Sequence, residues 1–105
     1  MADFVLLYTG GGMPESEAEQ AKVLQAWDDW YKDLGGAIKD GGNPFSGAVK
    51  TVSSDGAVKD GAPGTPHTGY TIVSTDSLDA ATVLAKGCPI LQGNGSVTVY
   101  ETFPM

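Results

Sequence analysis

The chain has 105 residues, of which 41% are hydrophobic, so it is long enough for one domain with a single core. Six lysines and no arginine stand against 13 acidic residues, and the net charge of -7 argues against a nucleic-acid partner because such a surface repels phosphate. No apolar run reaches the roughly 20 residues of a membrane span, and no signal peptide is evident, so we expect a cytoplasmic protein without a membrane partner.

The first half of the chain predicts a strand, a long helix and a second strand. The run 4–8 is apolar on both alternating faces, so both sides of its sheet need cover. A capping box at residues 16–19 begins the helix, and the glycine pair 35–36 ends it. Residues 37–39 suffice for a short strand, and the Gly, Asn and Pro residues of 40–44 predict a turn. The apolar stripe of the helix comprises Val23, Leu24, Trp27, Trp30, Tyr31 and Leu34.

The second half of the chain predicts a hairpin, a strand, a short helix and a last strand. Residues 48–53 and 57–59 flank the turn Ser-Asp-Gly, which is typical of a hairpin. The Pro- and Gly-rich residues 60–68 predict an irregular loop, and 70–74 a strand. The second helix begins after a cap at Asp76 or Ser77, and its stripe is Leu78, Ala81, Leu84 and Ala85. The last strand spans 97–103, with Val97, Val99 and Phe103 on one face and Thr98, Tyr100 and Thr102 on the other.

The order of these elements is that of an α+β, ferredoxin-like βαββαβ domain with an extra β-hairpin. Two helices can cover only one face of its sheet. Because the other face also carries apolar residues, we expect a second copy of the chain to cover it, sheet against sheet, in a homodimer.

Several short motifs follow one another in a characteristic order along the chain: Trp27-x-x-Trp30, Asp40-Gly41-Gly42-Asn43-Pro44, Asp60-Gly61, Gly69-Tyr70-x-Ile72, Asp76-Ser77-Leu78-Asp79-Ala80-Ala81, Cys88-Pro89 and Ser96-Val97-Thr98-Val99. In these motifs the chain resembles the YCII-related family, in the branch often called DGPF-like, over nearly its whole length. The resemblance implies a dimeric α/β barrel of ferredoxin-like subunits. Two features depart from it: Asp60-Gly61-Ala62-Pro63 stands where the branch has Asp-Gly-Pro-Phe, and the first helix lacks the histidine that suspected catalytic members pair with an aspartate. That dyad cannot be carried over to this chain.

Three titratable residues are candidates for acid and base chemistry. His67, the only histidine, lies in a predicted loop and is either a general base or a solvent-exposed loop residue. Asp40 and Asp60 each precede a glycine at the end of a predicted strand. If those strands are neighbours, the two carboxylates meet in one cleft and burial separates their pKa values. Otherwise each carboxylate accepts hydrogen bonds from backbone amides in its own turn.

A second group of residues is suited to ligand binding. Trp27, Trp30 and Tyr31 either form an aromatic wall for a flat ligand or pack in the core. Tyr8 and Tyr70 can donate a phenol hydrogen to a ligand or to a backbone carbonyl. Asn43 is either a ligand contact or a turn residue.

The sequence predicts no metal and no cofactor. The glycines 10–12 follow a strand and precede a helix, but they lack the pattern of a phosphate loop, so we interpret them as a linker. Cys88 is the only cysteine, which leaves no zinc grouping and no internal disulfide; we expect a small buried hydrophobic side chain there.

Three functional hypotheses follow. In the first, each subunit of a homodimer binds a small apolar or aromatic molecule. In the second, the protein is a cofactor-free isomerase, lyase or hydrolase that moves a proton with His67 or Asp40. In the third, it is a structural or interaction subunit without a pocket.

Overall fold

A computed structural model of the chain describes residues 1–11 and 14–104; Gly12 of the predicted linker lies outside them. In chain order the elements are β1 (Ala2–Thr9), α1 (Glu17–Leu34), β2 (Ile38–Asp40), β3 (Lys50–Val52), β4 (Val58–Asp60), β5 (His67–Thr75), α2 (Leu78–Ala85) and β6 (Ser96–Glu101). Short 3-10 helices follow α1 at Gly35–Ala37 and α2 at Pro89–Gly93.

The strands form a main sheet and a separate hairpin. The main sheet has the order β2-β5-β1-β6 with antiparallel neighbours, and β3 pairs only with β4. Without the hairpin, this is the strand order of a ferredoxin-like domain, in which two split βαβ units interleave. The predicted fold class, α+β and ferredoxin-like with an extra hairpin, is confirmed.

Local sequence signals explain the bounds of α1. The Ser16 side chain accepts a hydrogen bond from the Glu19 amide at 3.1 Å, which is the predicted N-cap contact. Gly35 ends the helix with φ of 51°, a conformation that a side chain would resist. Within the helix, Trp30 and Leu34 are buried against the sheet. None of the helices in the described residues is long and apolar enough to span a bilayer.

The core lies between the two helices and one face of the main sheet. Strand alternation sends Phe4, Leu6 and Val73 to this side, where each is fully buried. From α2, Ala81 and Ala85 reach the same core, and small residues there let the helix approach the sheet closely. Cys88 is 2% exposed in this cluster, as predicted.

The opposite side of the main sheet, which we call the open face, carries the alternate residues of the central strands. Pairing registers place these side chains together: Val5, Leu7, Tyr70, Ile72, Thr98 and Tyr100. Those on β1 and β5 are half-buried and those on β6 are exposed. Since the described helices pack on the other side, no helix of the described residues covers these mostly apolar side chains, and Phe45 stacks on the ring of Tyr70.

The ends of three strands differ from the predictions. β5 begins at His67, not at residue 70, because His67 pairs with Thr9 beyond a bulge at Thr68 of β5. Asp60 belongs to β4 and not to the loop that follows. β6 ends at Glu101, and Phe103, predicted on the same face of that strand as Val97 and Val99, is 87% exposed beyond its end.

Candidate functional site

A cleft of about 720 Å³ opens between α1 and the end of the main sheet. Its walls come from the C-terminal end of β1, one side of α1, residues 42–44 and the 3-10 helix Pro89–Gly93. Its lining is mostly apolar with a few polar groups, the character of sites that bind small organic molecules. The volume lies in the usual range for such sites.

Aromatic side chains form the inner wall of the cleft. Trp27 contacts Tyr8 edge-to-face, with ring centroids 5.3 Å apart, and lies 6.0 Å from the ring of Tyr31. All three residues line the cleft. Trp30 lies behind this wall, edge-to-face with Trp27 at 5.7 Å, and its indole N–H donates to the Leu84 carbonyl at 3.0 Å. The helical spacing of α1 therefore supplies both a core tryptophan and a cleft tryptophan.

Three hydroxyl groups and one carbonyl form a polar cluster beside the aromatic wall. Tyr8 donates to Thr71 Oγ1 at 2.6 Å, and Thr71 donates to the Gly41 carbonyl at 3.1 Å. Tyr31 donates to the same carbonyl at 3.2 Å. Burial raises the pKa of Tyr8 well above its ordinary value, so its phenol stays protonated and serves as a hydrogen-bonding group. The cluster joins β1, β5 and α1 to the segment after β2.

Hydrogen bonds hold residues 41–45 against the edge of β5. The Asn43 carbonyl accepts from the Tyr70 amide at 3.3 Å, and the Phe45 amide donates to Thr68 at 2.8 Å. Gly42 has φ of 70°, and a Cβ at this position would lie 1.8 Å from the Tyr70 carbonyl oxygen. The segment predicted as a turn is therefore a closely packed wall of the cleft.

The predicted ligand-binding residues mostly meet at the cleft. Tyr8, Trp27, Asn43 and Tyr70 line it, whereas Trp30 does not. Alternation along β5 places the ring of Tyr70 on the open face, where it stacks on Phe45 with centroids 5.9 Å apart. Tyr70 therefore borders the cleft, and its ring belongs to the other side of the sheet.

The predicted acid and base residues lie apart from one another and outside the cleft lining. Asp40 is exposed, and its carboxylate accepts from the Gly42 amide at 2.9 Å, which is the turn-forming contact weighed from sequence. Asp60 lies in the separate hairpin, 88% exposed, 2.6 Å from the Lys50 ammonium. Because β2 and β4 belong to different sheets, the two carboxylates do not come from neighbouring strands.

His67 lies at the start of β5, next to the cleft but turned from it. Its Nδ1 is 3.2 Å from Thr9 Oγ1. Thr9 follows Val5 and Leu7 at two-residue steps along β1, so it lies on the same side of the sheet as the open face. The adjacent Thr68 does line the cleft and donates to the Gly10 carbonyl at 3.1 Å. A catalytic role for His67 stays a prediction.

One polar residue of the site, Thr71, was not among the predicted contacts. It is fully buried between the phenols, and the available signal was a threonine at a core-facing position of a strand. Tyr31 was predicted as part of the aromatic wall and lines the cleft, but its hydroxyl contact with Gly41 spans ten residues and depends on where β2 runs. The 3-10 helix also contributes Ile90 to the cleft.

Among the described residues, the lining of the cleft includes two charged side chains. Lys22 and Glu19, on the first turns of α1, lie 3.8 Å apart and are largely exposed.

Cys88 contacts the polar cluster from the core side. Burial there raises the pKa of its thiol to about 11, so the thiol is protonated and weakly nucleophilic at neutral pH. Within residues 1–11 and 14–104, no three His, Cys, Asp or Glu side chains come together as metal ligands would.

Comparison with known proteins concerns the fold. No family model matches the chain, and no curated sequence does. Among solved structures, it is similar to 5-chloro-2-hydroxyhydroquinone dehydrochlorinase (TftG) from Burkholderia phenoliruptrix AC1100, in complex with 2,5-dihydroxybenzoquinone. The TM-score is 0.57 at 15% sequence identity, over 97% of this chain and 95% of that one. The chain therefore shares the mixed α+β fold of TftG over nearly its full length.

Proposed function

We propose that this protein belongs to the YCII-related family, close to its DGPF-like branch, and acts as a homodimeric module that binds a small, flat molecule. The order of the sequence motifs supports the family, and the fold shared with TftG agrees with it. The observation that carries the binding role is the aromatic cleft along α1. Such a cleft argues against the hypothesis of an interaction subunit without a pocket.

The chemistry of the cleft favours a neutral aromatic ligand. The rings of Trp27 and Tyr31 offer faces and edges to a planar molecule. The chain has no arginine and a net charge of -7, both of which disfavour an anion. The ligand in the TftG complex, 2,5-dihydroxybenzoquinone, is a single flat ring with hydroxyl groups, and for this cleft we propose a neutral aromatic ligand of similar size.

The test is a titration of the ¹⁵N-labelled protein with small neutral aromatic compounds, namely phenols and hydroquinones, followed by NMR. We expect saturable shifts of the Trp27 indole N–H and of the amides of residues 41–43. The Trp30 indole, held by Leu84 behind the wall, is an internal control that should move less. Shifts confined to the hairpin, or none at millimolar concentration, would count against the binding role.

The homodimer of this proposal rests on the open face. Its half-buried apolar side chains include Val5, Leu7 and Ile72, and a symmetry-related sheet packed against them would cover all three. The cytoplasmic location stays a prediction from the sequence.

A cofactor-free enzyme is the alternative, with His67 or Asp40 as acid or base. TftG, which shares the fold, is a dehydrochlorinase, and Thr68 beside His67 borders the cleft. The assay is chloride release from 5-chloro-2-hydroxyhydroquinone by the native protein, His67→Ala and Asp40→Ala. Because both side chains lie outside the lining, we expect no turnover. Turnover that either substitution abolishes would replace the binding module with the enzyme.

A further inference from the structure

The polar cluster beside the cleft contains acceptors for all of its own hydroxyl hydrogens. Tyr8 donates to Thr71 Oγ1, and both Thr71 and Tyr31 are placed to donate to the Gly41 carbonyl. The Tyr31 and Thr71 hydroxyls are also 3.4 Å apart, and either of them can be the donor in that contact. In each arrangement all three hydrogens stay inside the cluster, and the Tyr31 oxygen keeps at least one of its two lone pairs free.

This arrangement leaves the Tyr31 phenol oxygen as an acceptor toward the cleft. A phenol has one hydrogen and two lone pairs, and its hydrogen is already used. Tyr31 lines the cleft and is half-buried, whereas Tyr8, which also lines it, is only 5% exposed. A ligand in the cleft therefore has at least one free lone pair available at Tyr31.

We infer that the cleft selects a neutral hydroxyaromatic ligand whose O–H donates to the Tyr31 oxygen. A carboxylate, a phenolate or a quinone carbonyl at this point would bring lone pairs against lone pairs, which costs binding energy because neither side has a hydrogen to share. This inference rests on the proposed binding function and deepens it. It gives Tyr31 the role of a specificity residue, distinct from the aromatic contacts that accept any flat ring.

The hydrogen bond from ligand to Tyr31 can be measured with a pair of ligands that differ in that donor. 4-Ethylphenol and 1-ethyl-4-fluorobenzene have similar size, but only the first can donate. Their affinities are measured by NMR on the native protein, on Tyr31→Phe and on Tyr100→Phe, a control on the open face outside the cleft. We expect Tyr31→Phe to lower the affinity ratio of phenol to fluoro compound about 3- to 10-fold, and Tyr100→Phe to leave it unchanged.

The possible outcomes separate this inference from the proposed function. If both ligands bind and Tyr31→Phe leaves the ratio unchanged, the selection by Tyr31 is wrong while the binding module stands. If neither ligand binds the native protein, the binding module fails and the selection with it.

A second measurement needs no variant and covers the case in which Tyr31→Phe disturbs the fold. 4-Nitrophenol loses its donor hydrogen when it ionises near neutral pH. Its affinity for the native protein should fall as the ligand ionises, by about 3-fold or more. Equal affinity for the phenol and the phenolate would overturn the inference.

Discussion

At the scale of single residues, Gly42 shows how a cleft wall depends on a missing side chain. Its amide donates to Asp40 Oδ1 at 2.9 Å, and its α-carbon passes close to the Tyr70 carbonyl. The next residue in this wall, Asn43, is held to Tyr70 through its backbone and lines the cleft. Asp40 therefore contributes to the cleft wall by accepting the hydrogen bond that fixes the turn at Gly42.

Gly42→Ala should therefore destabilise the protein. The new Cβ would overlap the Tyr70 oxygen, and φ of 70° is unfavourable for alanine. We expect the free energy of unfolding to fall by about 2 kcal/mol or more, measured by urea denaturation. Gly36→Ala is the matched control, since a Cβ at Gly36 meets no atom within 4 Å and its φ is outside the left-handed region. A loss equal to that of the control would contradict the close packing described at Gly42.

At the scale of elements, the hairpin of β3 and β4 differs from the main sheet. Its strands pair Lys50 with Asp60 and Val52 with Val58, and both valines are more than half exposed. An isolated two-stranded hairpin is marginally stable, so this one depends on its own hydrogen bonds and on its attachment to the domain. The elements around the core, by contrast, are joined by buried side chains.

A Val→Ala substitution should lower the free energy of unfolding more in the core than in the hairpin. Val73→Ala removes fully buried methyl groups between β5 and the helices, and we expect a loss of about 2–3 kcal/mol in the free energy of unfolding. Val52→Ala, at a side chain that is 66% exposed, should change it by less than about 0.5 kcal/mol. Thermal or urea unfolding of both variants makes the comparison. A large loss at Val52 would mean that the hairpin packs against something in solution.

At the scale of the whole molecule, the subunit is a flat two-layer structure. The described residues measure 44 × 39 × 18 Å, and the shortest dimension has room for little more than one sheet and one helical layer. The radius of gyration is 15.2 Å, against about 13 Å for a compact domain of this length. Flatness leaves the open face without a second layer from its own chain in the described residues.

We expect the native protein to sediment as a dimer at micromolar concentration, measured by analytical ultracentrifugation. Ile72→Lys places a charge in the middle of the open face and should shift the equilibrium toward monomer by more than tenfold, because burying an unpaired ammonium between two sheets is costly. Val83→Lys, at a side chain 63% exposed on α2, is the control. A native protein that sediments as a monomer would contradict the dimer.

The sequence by itself determined the elements and their class. Helix caps at Ser16 and Ser77, the glycine stop at Gly35 and the alternation of β1 and β5 are local signals, because each depends on neighbours within a few residues. Their order was enough to predict the ferredoxin-like topology. The sequence also indicated Tyr8, Trp27 and Asn43 as residues able to bind a ligand.

Only the tertiary structure decided which of these residues meet. The cluster of Tyr8, Tyr31, Thr71 and Gly41 brings together four distant parts of the chain, and no local period encodes that meeting. Asp40 and Asp60 looked equivalent in sequence but belong to different sheets, since strand pairing, not chain order, sets neighbours. The physical reason is the range of the interactions involved. Whether a segment forms a helix or a strand depends on residues close to it in the sequence. Which side chains meet in a site depends on how distant segments pair and pack, and that is decided by many weak interactions over the whole chain.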